Sequence, residues 1–488
     1  MVFNSFGFIF IFMPLLLAGW NLLLKFGHRR LGILFITLMS AVLYGLFNWK
    51  YLVVIGISMA VTYLFSYIMS LAVEKSRRVS PLVPAVAVIF HIAVLGYFKY
   101  TGFLSDNINA IFGTDYVFKA FLLPVGISFY TFSQIAFVID RYRGEIPHYD
   151  LLDYSFYVLF FPKIMQGPIA FPAEMIEQTR DIKKLSFDAD RFARGIILFI
   201  IGLSKKVLMA DTIALLVNYT YQQAYYLDTL CVIVAGIATA LNIYFDFSGY
   251  CDMADGISQM LGFTLPQNFN SPFKAASVQE LWQRWHMTLS RFLTKYVYFP
   301  LGGSRRGVVR TILNILIIFF ISGLWHGAGW NYVVWGLLNG ILVIFDHFHK
   351  NKILPRKIRQ VLTFLFFSFS VIIFQAPDLV TGGVMVGKLT FFTFPGFLYR
   401  TAANLSLSET YVIEEAVSLF APNALNIYFL VLMIIILAFS LFLMTRPNAR
   451  EIAQQSSFKT SQIVWLSIIA VLSILSLSNV QTFIYFTF

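Results

Sequence analysis

The stretch Val308-Val-Arg-Thr-Ile-Leu-Asn-Ile-Leu-Ile-Ile-Phe-Phe-Ile-Ser-Gly-Leu324 holds a single charged residue, Arg310, and runs straight into Trp325-His326-Gly327. An α-helix crosses a bilayer with about 20 mostly apolar residues, so this segment reads as a membrane span. Similar runs lie on both sides of it. Upstream they are Phe8–Leu24, Leu31–Phe47, Tyr51–Val73, Leu82–Phe98, Phe118–Ile139, Gly195–Val217 and Thr229–Phe247. Downstream they are Tyr332–Phe345, Val361–Phe374, Ile427–Met444 and Ile463–Leu477. The whole chain agrees: of 488 residues, 58% are hydrophobic and 12% charged, with a mean hydropathy of +0.74. A soluble domain carries about 25% charged residues, and a soluble core stops growing near ~300 residues. A soluble enzyme and a disordered chain are therefore excluded. So is a nucleic-acid binder, although the net charge is +12, because cytoplasmic loops of membrane proteins collect Lys and Arg. Fold class at this stage is an all-α, multi-spanning membrane protein. No repeat or low-complexity linker divides it, so 1–488 reads as a single membrane domain. The first run lacks the basic n-region and cleavage site of a signal peptide.

Basic loops set the expected orientation. They are Lys25–Arg30, Glu74–Arg78, Arg141–Arg143, Gly303–Arg310, Lys350–Arg359 and, more weakly, Arg446–Lys459. Placing them inside the cell puts the N-terminus outside, and the spans alternate without conflict. The long loop Pro377–Asn423, richer in Glu and Asp than in Lys and Arg, then falls outside.

Two regions are not ordinary spans. Tyr154–Phe171 is apolar but contains Pro162, Lys163, Gly167 and Pro168. Broken backbone at membrane depth survives only inside protein or beside a water-filled cavity, so a re-entrant segment is expected here. Glu280–Tyr298 has helical period, with Leu281, Trp282, Trp285, Leu289, Phe292, Leu293 and Tyr296 on one side and a basic face opposite. That predicts a single helix at the inner interface; a plain surface-lying helix fits the same pattern.

Ionisable side chains at membrane depth are rare and usually functional. His326 ends the decisive span among glycines, and His286 sits in Trp282-Gln-Arg-Trp-His-Met-Thr-Leu-Ser290. Each has a plain reading, as a carbonyl-bonded or interfacial histidine, and a catalytic one. A desolvated imidazole stays neutral and is a good general base. An indole N–H, such as that of Trp325, suits a developing oxyanion. Such a pair, one at each end of a channel, would let an acyl group pass from a cytoplasmic thioester to a hydroxyl on the far side. Lys205 and Lys206 either snorkel to the headgroups or bind donor phosphates. Asp246, Asp252 and Asp255 read as helix-capping groups. The cysteines, Cys231 and Cys251, have no metal-ligand spacing, and no metal site is expected.

Several motifs recur together: Met1-Val-Phe-Asn-Ser5, Leu123-Pro-Val-Gly-Ile-Ser-Phe-Tyr130, Ile139-Asp-Arg-Tyr-Arg-Gly144, Gln166-Gly-Pro168, Ile201–Asp211 and Tyr244–Gly256. Asn268-Phe-Asn-Ser-Pro-Phe273, Glu280–Ser290, Leu301-Gly-Gly303 and Leu324-Trp-His-Gly327 complete the set. In combination they resemble the membrane-bound O-acyltransferase superfamily, most closely its bacterial alginate O-acetylation branch. The resemblance runs from residue 1 to about 350, with a core near 90–350 and extra spans over 355–488. It implies a ring of tilted helices around a central tunnel, with re-entrant segments. It implies His326 and His286 as catalytic histidines, and Trp325, Trp285, Trp282, Asn270, Lys205, Lys206 and Lys163 along the substrate path. Lys163 and Asp255 depart from the pattern, standing where relatives often carry histidine and an apolar residue. No cofactor is implied; acetyl-CoA or another acyl thioester is the implied donor. The implied acceptor is an exported or cell-surface polysaccharide, reached through an extracytoplasmic SGNH-type partner, and the implied site is the bacterial cytoplasmic membrane. A teichoic acid D-alanylation subunit is the same-fold alternative, and a polysaccharide or small-molecule transporter the alternative of another class. The latter predicts paired half-helices in two repeats, a symmetry not visible here.

Overall fold

The structure, a computed structural model, describes residues 2–74, 78–117, 122–181, 186–349, 353–393, 396–455, 457–479 and 483. Among them every regular element is helical. Eight helices are long and apolar enough to cross a membrane: Phe8–Lys25, Trp49–Glu74, Leu82–Phe112, Thr229–Met260, Val308–His326, Trp330–Phe348, Arg356–Gln375 and Pro422–Thr445. The chain is a multi-pass membrane protein. Other predicted runs form shorter helices: Arg29–Gly45, Ile127–Tyr142 and Thr460–Leu475. Residues 118–121 at the start of one predicted run, 75–77 of one basic loop and 350–352 of another lie outside the described residues. The Gly195–Val217 run is helical throughout but passes through a π-helical turn at Lys205–Ala210.

The chain packs as two compact units. One comprises 1–201 and 250–267, the other 202–249 and 268–488. The long helix Thr229–Met260 thus contributes residues to each.

In the first unit, Ile127–Tyr142 is buried on nearly every side although it carries Ser128, Thr131, Ser133 and Gln134, and Gln134 is bonded to Thr62 and Ser58 at 2.9 and 2.8 Å. The predicted re-entrant stretch is broken as its prolines and glycines require. Helix Leu151–Leu159 stops at Phe160, one short turn covers Phe161–Ile164, and no regular structure follows until Pro172. Gly126, at φ +73°, abuts the Ile164 carbonyl, and Gly167 abuts that of Pro162, so a Cβ fits at neither. The hydroxyl of Tyr157 donates to the carbonyls of Ser133 (3.0 Å) and Ala170 (3.1 Å), holding the unwound backbone.

In the second unit, Val308–His326 and Trp330–Phe348 form an antiparallel hairpin joined by Gly327-Ala328-Gly329. Small residues allow the two backbones to touch, as membrane helix pairs require. Gly323 meets the Tyr332 carbonyl, and Gly336 meets that of Phe319. The Asn331 amide donates to the Ala376 carbonyl at 2.9 Å and ties on helix Arg356–Gln375. The stretch Pro377–Asn423, expected as a loop, contains helices Leu379–Gly387, Leu398–Ala402 and Tyr411–Phe420.

Thr229–Met260 continues well beyond the predicted end near Phe247. Its acid is no cap. Asp246 lies mid-helix, buried, and Lys206 donates to it at 2.7 Å and pairs with Asp211 at 2.7 Å. A charge neutralised inside the protein does not end a span, whereas a charge read in isolation suggests that it should.

Candidate active site

Two short helices hold the first histidine. Val278–Arg284 begins with Ser277, whose side chain accepts from Glu280 N–H at 3.0 Å. The Asp346 carboxylate, from the facing hairpin, accepts from Val278 N–H (2.6 Å) and Gln279 N–H (3.1 Å). An anion on the orphan amides of a helix start is stabilising. The single helix expected over Glu280–Tyr298 is not what forms. It breaks at Trp285-His286, where His286 takes the left-handed conformation, φ 45° and ψ 48°. A second helix, Met287–Leu293, then starts, and a π-helical turn follows over Thr294–Tyr298.

Asn268, on the preceding loop, explains the break. Its carbonyl accepts from Met287 N–H at 2.9 Å. Its side-chain oxygen accepts from Thr288 N–H (3.3 Å) and the Thr288 hydroxyl (2.9 Å). One residue thereby satisfies the first two amides of the second helix, replacing the bonds that a continuous helix would have made. The same Oδ1 lies 3.1 Å from His286 Nδ1. Because the Thr288 amide can only donate, the Asn268 atom there is the oxygen. His286 Nδ1 therefore carries the proton, and Nε2 carries the lone pair.

His326 reaches the same state by another route. It is the last residue of Val308–His326, and its Nδ1 lies 2.6 Å from the Ser322 carbonyl one turn back. A carbonyl only accepts, so Nδ1 donates and Nε2 is the basic nitrogen. The two imidazoles are buried, with ring centroids 6.3 Å apart. Sequence reasoning set them at opposite ends of a channel; the structure makes them neighbours. Trp325 packs edge-on against both, at 5.0 Å from His326 and 5.7 Å from His286. Trp335 lies 5.1 Å and Phe374 5.6 Å from His326, and Phe247 lies 4.8 Å from His286. These aromatic rings pack around both imidazoles and restrict their orientation.

A cavity of about 410 Å³ reaches His286 and Ser322, one helical turn before His326. Its far end is lined by Tyr298, Ser304 and His347, where the hairpin adjoins the basic stretch Gly303–Arg310. Ile315, Ile318 and Phe319 form its side, and Trp282, Ser322 and His286 also line it.

The remaining predicted residues have varied fates. Trp282 lines the cavity and packs on Phe319 (5.5 Å) and Trp335 (5.6 Å). Trp285 is buried behind it among Phe269, Phe273 and Phe367. Asn270 braces the loop: its N–H donates to the Arg284 carbonyl at 2.9 Å, and Arg284 donates to its carbonyl at 3.2 Å. Lys206 neither snorkels nor faces a phosphate, because both its carboxylate partners are buried with it. Lys205 donates to Ser248 at a long 3.4 Å and lies over the Tyr244 ring. Lys163 belongs to the first unit, where it is buried, donates to Ser133 at 3.0 Å and sits 3.9 Å from the Tyr157 ring centroid. Asn268 and Thr288 were missed as site residues. The available signal was an Asn shortly before a Trp-His-Met-Thr run, which gives no hint that the two segments meet.

Residues 36–379 match MBOAT, the membrane-bound O-acyltransferase family. The chain is 34% identical to a peptidoglycan O-acetyltransferase of Helicobacter pylori over 78% of each chain. It is 33% identical to a probable alginate O-acetylase of Azotobacter vinelandii, over 88% of this chain and 85% of that one. A teichoic acid D-alanyltransferase of Bacillus subtilis is 27% identical, over 51% of this chain and 68% of its own. With residues 36–379 matched by the family and two relatives 34% and 33% identical over most of both chains, this chain belongs to the membrane-bound O-acyltransferase family.

Proposed function

We propose that this O-acyltransferase takes an acetyl or similarly short acyl group from a cytoplasmic thioester and delivers it to a hydroxyl beyond the membrane. The thioester is acetyl-CoA or a carrier-bound equivalent, and it enters the cavity from the end beside Ser304 and the basic stretch Gly303–Arg310. The N-terminus then lies outside, in a bacterial cytoplasmic membrane. The reading is carried by one observation: two imidazoles, each anchored through Nδ1 with Nε2 as the basic nitrogen, have ring centroids 6.3 Å apart, and one of them, His286, lines a cavity. His326 Nε2 accepts the proton of the attacking hydroxyl, a role worth about 10²–10⁴ in rate. The resulting imidazolium returns that proton to the departing thiolate. His286, in the cavity wall, holds the thioester side of the reaction. An acetyl group and a cell-envelope polysaccharide acceptor are supported by the relatives named as peptidoglycan and alginate O-acetylating enzymes, whose similarity extends further along the chain than that of the D-alanyltransferase. Delivery through an extracytoplasmic SGNH-type partner completes the reading.

The test uses the purified protein in proteoliposomes with labelled acetyl-CoA inside. His326→Ala abolishes transfer to an outside acceptor while insertion and abundance stay at wild-type levels. Undiminished transfer by that variant removes the reading.

A further inference from the structure

Two donors beside the histidines lack a partner. The indole N–H groups of Trp282 and Trp335 are buried, and neither meets a hydrogen-bond acceptor among the described residues. Trp282 is 8% exposed and Trp335 3%. An indole N–H donates and cannot accept, and buried donors in native proteins nearly always find an acceptor. Phenylalanine would fill either site without the penalty of an unmet donor. The surroundings say where the acceptor comes from. Trp282 lines the cavity with His286, Trp335 packs on His326 at 5.1 Å, and the two indoles touch at 5.6 Å. A ligand in this cavity meets Trp282 and His286 directly, and an acyl group that advances from there to His326 brings its acceptor to both indoles.

We propose that Trp282 and Trp335 form a neutral two-donor seat for the carbonyl oxygen of the acyl group. This rests on the acyl-transfer reading above and specifies how the same site activates its substrate. The acceptor oxygen bonds to the thioester carbonyl carbon while its proton passes to His326 Nε2. The carbonyl π pair moves onto oxygen, and that oxyanion accepts from both indoles. When the C=O bond reforms, the C–S bond breaks, and the thiolate takes the proton from the imidazolium to leave as a thiol. Charge on oxygen is greatest between these steps, so hydrogen bonds there speed the reaction more than they tighten ground-state binding. A neutral donor suits the place: a lysine or arginine would need its own counter-charge among these buried aromatic rings.

The test replaces each indole with Phe, which keeps the ring and removes the N–H. Trp282→Phe and Trp335→Phe each lower kcat by about 10²–10³, as loss of one oxyanion donor does elsewhere, with donor KM changed far less. A second measurement does not depend on turnover. In the His326→Ala background, donor labelled with ¹³C at its carbonyl stays intact, and its infrared C=O band shifts to higher frequency when either indole is replaced. Wild-type kcat in both Phe variants and an unmoved band overturn the seat alone. Full activity of His326→Ala overturns the transfer reading beneath it.

Discussion

Replacing Asn268 by Leu, close to it in volume, is the most direct probe of how His286 is held. The Asn268 side-chain oxygen accepts from His286 Nδ1, Thr288 N–H and the Thr288 hydroxyl at 3.1, 3.3 and 2.9 Å. A hydroxyl rotates to a new acceptor; the other two donors cannot. Each orphaned buried donor costs about 1–3 kcal/mol, so the variant loses roughly 2–6 kcal/mol if nothing rearranges. The functional loss exceeds the stability loss. Without an acceptor at Nδ1 the imidazole no longer favours the tautomer that leaves Nε2 basic, and a wrong tautomer has cost up to ~10⁴ in kcat in a serine protease. On the proposed mechanism, in which His286 assists His326, a fall in kcat of about 10²-fold is expected, within the range for one acid–base group. Asn268→Asp separates the two effects. Its carboxylate still accepts all three bonds and so keeps the tautomer, at the cost of one buried charge. Its charge favours the imidazolium form of His286, so the acidic limb of the kcat profile moves to higher pH. Transfer assays from pH 5 to 9 with melting curves on the same preparations decide the matter. Wild-type kcat and melting temperature for Asn268→Leu, or an unmoved acidic limb for Asn268→Asp, refutes the positioning role.

Lys206→Met strands Asp211 and Asp246 without their shared cation; breaking such a buried pair costs about 3–5 kcal/mol, visible as a lower melting temperature, while donor KM of the surviving folded enzyme stays at the wild-type value. A weakened KM at full stability would return Lys206 to phosphate binding. Ser304→Trp, at the far end of the cavity, raises donor KM about tenfold, or about 1.4 kcal/mol of binding, and leaves single-turnover chemistry untouched; unchanged KM would mean that the donor does not use this opening. Gly336→Val drives a side chain into the Phe319 carbonyl and costs at least about 1–3 kcal/mol through overpacking, read as a lower yield of folded protein. A wild-type yield would show that the hairpin can separate without loss.

What the sequence made legible follows its physics. Spans are written in composition, because each must be apolar regardless of neighbours; Val308–Leu324 was placed to within two residues of its observed end at His326. The broken segment after Leu159 was equally plain, since Pro162 and Gly167 act on their own backbone. The failures concern groups whose role is set by a distant partner. Asp246 looks like a span end until Lys206, 40 positions earlier, is seen beside it. Trp285-His286 contains no Gly or Pro, and its break depends on Asn268, 18 positions upstream. The periodicity of Glu280–Tyr298 is real, but two short helices joined by one left-handed residue satisfy it as well as one long helix does. Both histidines were named from resemblance and from their burial-prone settings. Their adjacency was invisible, because hydropathy reports depth and says nothing of which helices touch.

The shared counter-ion of Lys206 also has a history during synthesis. The lysine leaves the ribosome 40 residues ahead of Asp246, and a lone charge opposes entry of a helix into lipid by about 2.5–3.5 kcal/mol on translocon scales. Asp211, five positions on, can shield it at once, but Asp246 has no such escort. Its helix therefore gains from being threaded against its predecessor, the two leaving the translocon as a couple. A chain defective in this pairing is expected to register first as a smaller amount of inserted protein, with the fraction that does fold keeping its ordinary affinity for substrate.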